Sequence, residues 1–134
     1  MMKKSNKKGF TLVELIVVIA IMAILAAVLV PVVTNKIKDA NDSAKASDVS
    51  AILSDISYKI AEGKEYDPAT YKNNKVKVTK NGTLAGNDLV YEIEVAFETE
   101  EKAKTVTGIP EATAGTYICT YTISSGTQAW GKKA

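Results

Sequence analysis

From Phe10 to Val33 the chain reads FTLVELIVVIAIMAILAAVLVPVV, apolar on every side of a helix and broken by a single ionisable residue, Glu14. At about 1.5 Å per residue this run spans the roughly 30 Å hydrocarbon core of a bilayer, which predicts a transmembrane helix over residues 10–33. The residues ahead of it, MMKKSNKK, are polar and basic and stop at Gly9. Their lysines place the N-terminus in the cytoplasm by the positive-inside bias. A removable secretory signal is a poorer fit, because it calls for about 7–15 apolar residues and an A-x-A-like cleavage site. Here the run is longer, it carries a carboxylate near its start, and its alanines follow a helix face.

Beyond Val33 the pattern changes and the helix continues. Residues 34–62 contain no Gly or Pro, and Val49, Ile52, Leu53, Ile56 and Ile60 recur at steps of three and four. Asp48, Asp55, Lys59 and Glu62 supply the polar side, so this is the amphipathic half of the same helix, with one stripe to bury against a sheet. Ile37, Ala40 and Ala44 form a thinner stripe on another side, which suits a linker helix as well as a subunit contact. Gly63 stops the helix, and residues 64–74, with Asp67-Pro68 and Asn73-Asn74, read as a loop.

Residues 63–134 then read as a loop and an antiparallel β head. Val76-Lys77-Val78 is a short strand, and Asn81-Gly82 opens a turn. Leu89, Tyr91, Ile93, Val95 and Phe97 face one way along a second strand, with Glu92 and Glu94 facing the other. The acid-rich residues 98–104 read as a solvated connection. Residues 116–124 form another strand, with Tyr117, Cys119, Tyr121 and Ile123 on one face, and a last short strand or tail includes residues 128–130. Tyr66, Tyr71 and Trp130 are expected at the rim of a small core. The class is α+β: a long N-terminal helix packed on a three- or four-stranded antiparallel sheet.

Composition narrows the function. All 17 cationic residues are Lys, and four lie in residues 1–9, leaving 13 against 15 acids, net −2, for the remainder. With no Arg and with its Lys interleaved with acids, that remainder argues against nucleic-acid binding. The chain has no His, no nucleophile motif, no phosphate loop and no spaced ligand cluster, so neither an enzyme nor a metal or other cofactor is expected. Cys119, the only cysteine, reads as a buried and inert thiol.

Glu14 makes the apolar helix more than an anchor. A carboxylate at mid-membrane costs about 2.5–3.5 kcal/mol on insertion scales, less near the edge, and marks function by default. About one turn inside the run, Glu14 reaches the headgroups in an isolated subunit; in an assembly, cleavage after Gly9 would free the amine of Phe10, a fixed cation at similar depth on a neighbouring subunit. Pairing the two would offset the burial of both and set the axial register between helices.

The order Gly9-Phe10-Thr11-Leu12-Val13-Glu14, behind a short basic leader and ahead of about 20 apolar residues, resembles the prepilin processing motif of type IV pilins. The clear match covers residues 3 to about 60, and the rest agrees only in architecture. The resemblance implies the type IV pilin fold and a leader over residues 1–9. A prepilin peptidase would cut between Gly9 and Phe10 and methylate the Phe10 amine, and Glu14 would serve assembly. It implies partners in other copies of the chain, in the pilus assembly machinery of the membrane and, before assembly, in the membrane itself. The subunit would be single-pass in the cytoplasmic membrane and afterwards extracellular in a pilus. Pro31, which has no N–H to donate, is expected to kink the helix or loosen its turn around residues 28–31, as a proline there does in the family. A major pilin leads, and a type II secretion or competence pseudopilin is the alternative that shares the leader, Phe10 and Glu14. The chain lacks the two C-terminal cysteines of many Gram-negative pilins, which points to a Gram-positive, clostridial-like host.

Overall fold

The computed structural model describes residues 11–133. The chain divides after Ile37 into two compact units, and the helix α1 (Leu12–Ala61) contributes to both. Among the described residues of the first unit α1 is exposed along its length: Leu12, Ile19 and Val30 are each more than 60% exposed, and no residue of the apolar window suited to a membrane is buried.

In the second unit α1 ends in a Schellman cap. Gly63 adopts φ +78°, its N–H donates to the Ile60 carbonyl at 2.9 Å, and the Lys64 N–H donates to the Lys59 carbonyl at 2.9 Å. These bonds satisfy carbonyls that the helix would otherwise leave open. A single 3-10 turn, Pro68–Thr70, follows, capped by the Asp67 side chain, which accepts from the Ala69 N–H.

Four strands then form one sheet: β1 (Lys77–Asn81), β2 (Val90–Phe97), β3 (Gly115–Thr122) and β4 (Thr127–Lys132). They lie in the order β1-β2-β3-β4, each antiparallel to the next. The pairing sets Ile93 between Val78 and Cys119 and brings Val95 opposite Tyr117. All of these except the half-buried Val78 are essentially buried, and Ile52 and Ile56 of α1 complete the same core. Burying an aliphatic side chain of this size stabilises by roughly 1.5–3 kcal/mol, so the helix stripe holds α1 to the sheet without any covalent staple. Tyr66 and Tyr91 meet edge to face at 5.9 Å, and the Tyr91 hydroxyl donates to the Tyr66 carbonyl at 2.6 Å. Tyr66 is buried, while Tyr71 and Trp130 pack half-buried against the core, the rim positions expected of them.

Two expectations need correction. Residues 98–104 are not a plain connection: an eight-residue helix, α2 (Glu100–Thr107), starts there and buries Ala103 and Thr107. Thr99 caps it by accepting from the Lys102 N–H, Gly108 closes it at φ +72°, and Lys104 pairs with Glu100 one turn away at 3.1 Å. The cap residues were present in the sequence, but the run of acids masked them. The edge strand β1 begins at Lys77 and runs to Asn81, later and longer than the stretch Val76-Lys77-Val78 suggested, while β4, Thr127–Lys132, includes the residues 128–130 expected near the end. An exposed edge strand draws its length from ladder hydrogen bonds, which composition does not reveal. On the thin stripe, Ile37 and Ala40 are exposed, and the buried residue of the next turn is Asp42.

Candidate functional site

Gly9 and Phe10, the expected cleavage and methylation residues, lie outside the described residues. The site therefore begins at Thr11. The Thr11 N–H donates to Glu14 Oε2 at 3.2 Å, and the Glu14 N–H donates to Thr11 Oγ1 at 3.2 Å. This is a capping box, T-x-x-E, in which each side chain satisfies an amide that the start of a helix leaves open. Glu14 also stands in the first turn of α1, where a negative charge complements the positive end of the helix. The carboxylate is thus held by its own helix start, surrounded by the exposed apolar side chains of Val13, Leu15, Val17 and Val18.

Sequence reasoning assigned Glu14 an assembly role and overlooked the capping role. The signal for it was available in Thr11 three residues before Glu14 ahead of an apolar run. The cap also leaves neither of these two amides unpaired among apolar side chains, where an unpaired amide would cost several kcal/mol.

Pro31 lies inside α1, which remains helical on both sides of it. Its missing N–H leaves the Ala27 carbonyl without the regular donor. One turn on, Thr34 Oγ1 donates to the Val30 carbonyl at 2.8 Å, a back-bond of the kind that bends helices slightly. Two local features that weaken the regular ladder therefore fall within four residues of each other, at the end of the apolar run.

In the second unit the polar centre is Asp42, fully buried on α1. Its carboxylate accepts from the Glu98 N–H at 2.8 and 3.0 Å, from the Thr99 N–H at 2.8 Å and from Thr99 Oγ1 at 2.7 Å. Beside it Lys45 Nζ donates to the Ala96 carbonyl at 2.6 Å and Asn41 Nδ2 to Glu98 Oε2 at 3.2 Å. Side chains one and four positions apart on α1 thus bind the junction between β2 and α2. Elsewhere the Tyr71 hydroxyl donates to Asp48 Oδ2 at 2.7 Å and accepts the Val76 N–H, while burial and the Asp48 carboxylate push its own ionisation up. Glu65 accepts from the Leu84 N–H and Lys80 Nζ, which hold its carboxyl below the usual range. Cys119 is buried, and burial pushes its thiol up to about 11. Among the described residues no three His, Cys, Asp or Glu side chains converge as metal ligands.

A capped, exposed apolar helix start and a helix-on-sheet head are the two parts of the described chain. Residues 4–30 match the family described as the prokaryotic N-terminal methylation motif. The chain is 44% identical over 77 residues to the type IV wide pilus major component PilA4 of Thermus thermophilus, covering 58% of this chain and 55% of that one. It is 40% identical over 62 residues to the type IV major fimbrial protein FimA of Dichelobacter nodosus, covering 46% of this chain and 40% of FimA. The chain thus spans about half the length of the curated relatives it matches. No solved structure matches it. The resemblance to type IV pilins drawn from the stretch Gly9 to Glu14 holds, and the fold is the α+β arrangement of that class: a long N-terminal helix and a four-stranded antiparallel sheet.

Proposed function

We propose that the chain is the structural subunit of a type IV pilus, a major pilin that polymerises through α1 after its leader is removed. The observation that carries this reading is the capped apolar helix start, Thr11 to Glu14, lying within the match to the methylation motif. Cleavage between Gly9 and Phe10 by a prepilin peptidase frees and methylates the Phe10 amine. The subunit then waits in the cytoplasmic membrane as a single-pass protein until the assembly machinery passes it to the filament at the cell surface. There the exposed apolar side chains of residues 12–33 exchange lipid for other copies of α1, a transfer that requires no new apolar face. Pro31 and Thr34 supply a point at which the helix can bend as it packs. The relatives carry the names of a major pilus component and a major fimbrial protein, which favours a pilin over a pseudopilin.

Glu14 pairs with the Phe10 amine of a neighbour and sets the register between helices. In the free subunit its carboxylate is occupied by the Thr11 N–H, so pairing either shares that oxygen or uses the second one. The experiment is the substitution Glu14→Ala, read by intact mass and by the filaments in the sheared cell-surface fraction. Processing is expected to continue, giving a chain that starts at methylated Phe10, while filament yield collapses. A chain still starting at Met1 in the unsubstituted protein, or a normal filament yield from Glu14→Ala, overturns this reading.

A further inference from the structure

The loop that follows α1 is tied back to the helix by bonds from the Tyr71 hydroxyl and Asn73 Nδ2 to Asp48, and two grooves open between loop and helix. One, of about 360 Å³, has Asp48, Asp55, Tyr66, Thr70 and Lys72 in its walls. The other, of about 350 Å³, shares Asp55, Tyr66 and Thr70 with it and adds Tyr58 and Lys59, so the two adjoin. Each has the size of a small-molecule site, whose range starts at about 300 Å³.

Tyr66 is the informative wall residue. It is 4% exposed, and its carbonyl is already taken by the Tyr91 hydroxyl. Among the described residues its own hydroxyl has no hydrogen-bond partner, although the residue borders both grooves. A buried hydroxyl without a partner is a cost that native proteins seldom carry, and a molecule in the groove would supply the missing bond. Asp55, exposed in both grooves, belongs to none of the three ion pairs, which are Lys80–Glu65, Lys104–Glu100 and Lys133–Glu94. Tyr58 is 64% exposed and offers a flat apolar ring with a polar tip.

The charges in the walls exclude a simple ion. Asp48 is occupied by Tyr71 and Asn73, and Lys59 and Lys72 stand close by, so the grooves do not select a cation. Asp55 in both walls opposes an anion. A neutral ligand rich in both donors and acceptors suits a carboxylate, an ammonium and a phenol together, since the first only accepts, the second only donates and the third does both. A peptide would also want pockets for apolar anchors, and Ile52, the large aliphatic residue at the wall, is already closed off at 2% exposure.

We propose that the adjoining grooves bind a neutral saccharide, its hydroxyls exchanging hydrogen bonds with Tyr66, Asp55 and Lys72 and one C–H face lying on the Tyr58 ring. This activity belongs to the head and does not rest on the filament reading. Open grooves of this kind hold a ligand weakly, with Kd on the order of 1 mM.

The test is a titration of the full chain, isotope-labelled, in micelles of a detergent that has no sugar headgroup. Maltotriose and chitotriose are the probes, followed by backbone amide shifts. At least one of them is expected to move the amides around residues 55–59 and 66–73 and to leave the outer strands still. Tyr58→Ala and Tyr66→Phe should each weaken that probe by about tenfold. Tyr66→Phe removes only the unpartnered hydroxyl, so its urea midpoint stays or rises while binding falls, a combination that a purely structural role for the hydroxyl does not give. No shift with either sugar, shifts confined to other parts of the head, or unchanged affinity in both variants overturns the proposal. Free lysine, inorganic phosphate or the neutral tripeptide acetyl-Gly-Leu-Gly-amide binding there more tightly than both sugars overturns the saccharide assignment.

Discussion

Replacing Asp42 by Ala would remove the buried carboxylate that binds α1 to the start of α2. In the native head the Asp42 side chain is fully buried and receives the Glu98 and Thr99 amides and the Thr99 hydroxyl at 2.7–3.0 Å. Hydrogen bonds to a charged acceptor are worth about 1.5–3 kcal/mol each, and a buried amide left without a partner costs about 1–3 kcal/mol. Two amides lose their acceptor in Asp42→Ala, while the cost of burying a carboxylate disappears as well. The balance is a loss of about 2–5 kcal/mol, a large share of the 5–15 kcal/mol typical of a whole domain. Asp42→Asn keeps one acceptor oxygen but turns an NH2 group towards the Thr99 amide, so an intermediate loss of about 1–3 kcal/mol is expected. Urea unfolding of the full chain in detergent, followed by the far-ultraviolet signal of the sheet, measures the order wild type, Asn, Ala. Amide exchange locates the effect, with Glu98 and Thr99 losing protection first. A loss under about 0.5 kcal/mol for Asp42→Ala, or unchanged exchange at those two amides, would refute the reasoning.

Two other consequences can be measured directly. Thr11→Val removes one side of the capping box and should cost about 1 kcal/mol at the helix start, seen as faster amide exchange at residues 11–14 in micelles, while Thr11→Ser keeps wild-type protection. Cys119 should resist alkylation in the folded head at pH 8. Because burial raises its thiol from 9.0 to about 11, the stability it contributes is present below pH 9 and is lost as the pH rises through 11. Burial raises Tyr91 from 10.0 in the same sense, so alkaline unfolding is expected above pH 10, and a Cys119→Ala head that keeps its core should shift that limb. Labelling of native Cys119 at the rate of a free thiol would contradict the burial argument.

The N-terminal third is legible in the amino-acid sequence because its signals are local. The length and apolarity of residues 10–33 can be read from the residues themselves, and Glu14 stands out against that background. The core strand is legible for a similar reason: alternation from Leu89 to Phe97 has one reading when every second residue is large and apolar. The stripe from Val49 to Ile60 likewise announces the face of α1 that meets the sheet.

What the tertiary structure decided are the pairings between distant parts of the chain. Asp42 looks like one polar residue among many on a polar helix, and only the fold brings Glu98 and Thr99, more than fifty residues on, within reach of its carboxylate. The short helix α2 is hidden because its exposed side is acidic, while its reason to exist is Ala103 and Thr107 packing on a surface assembled from other elements. Periodicity and solvent act on each segment separately and can be read one segment at a time. Buried polar partners are chosen by geometry, and that exists only once the segments have met.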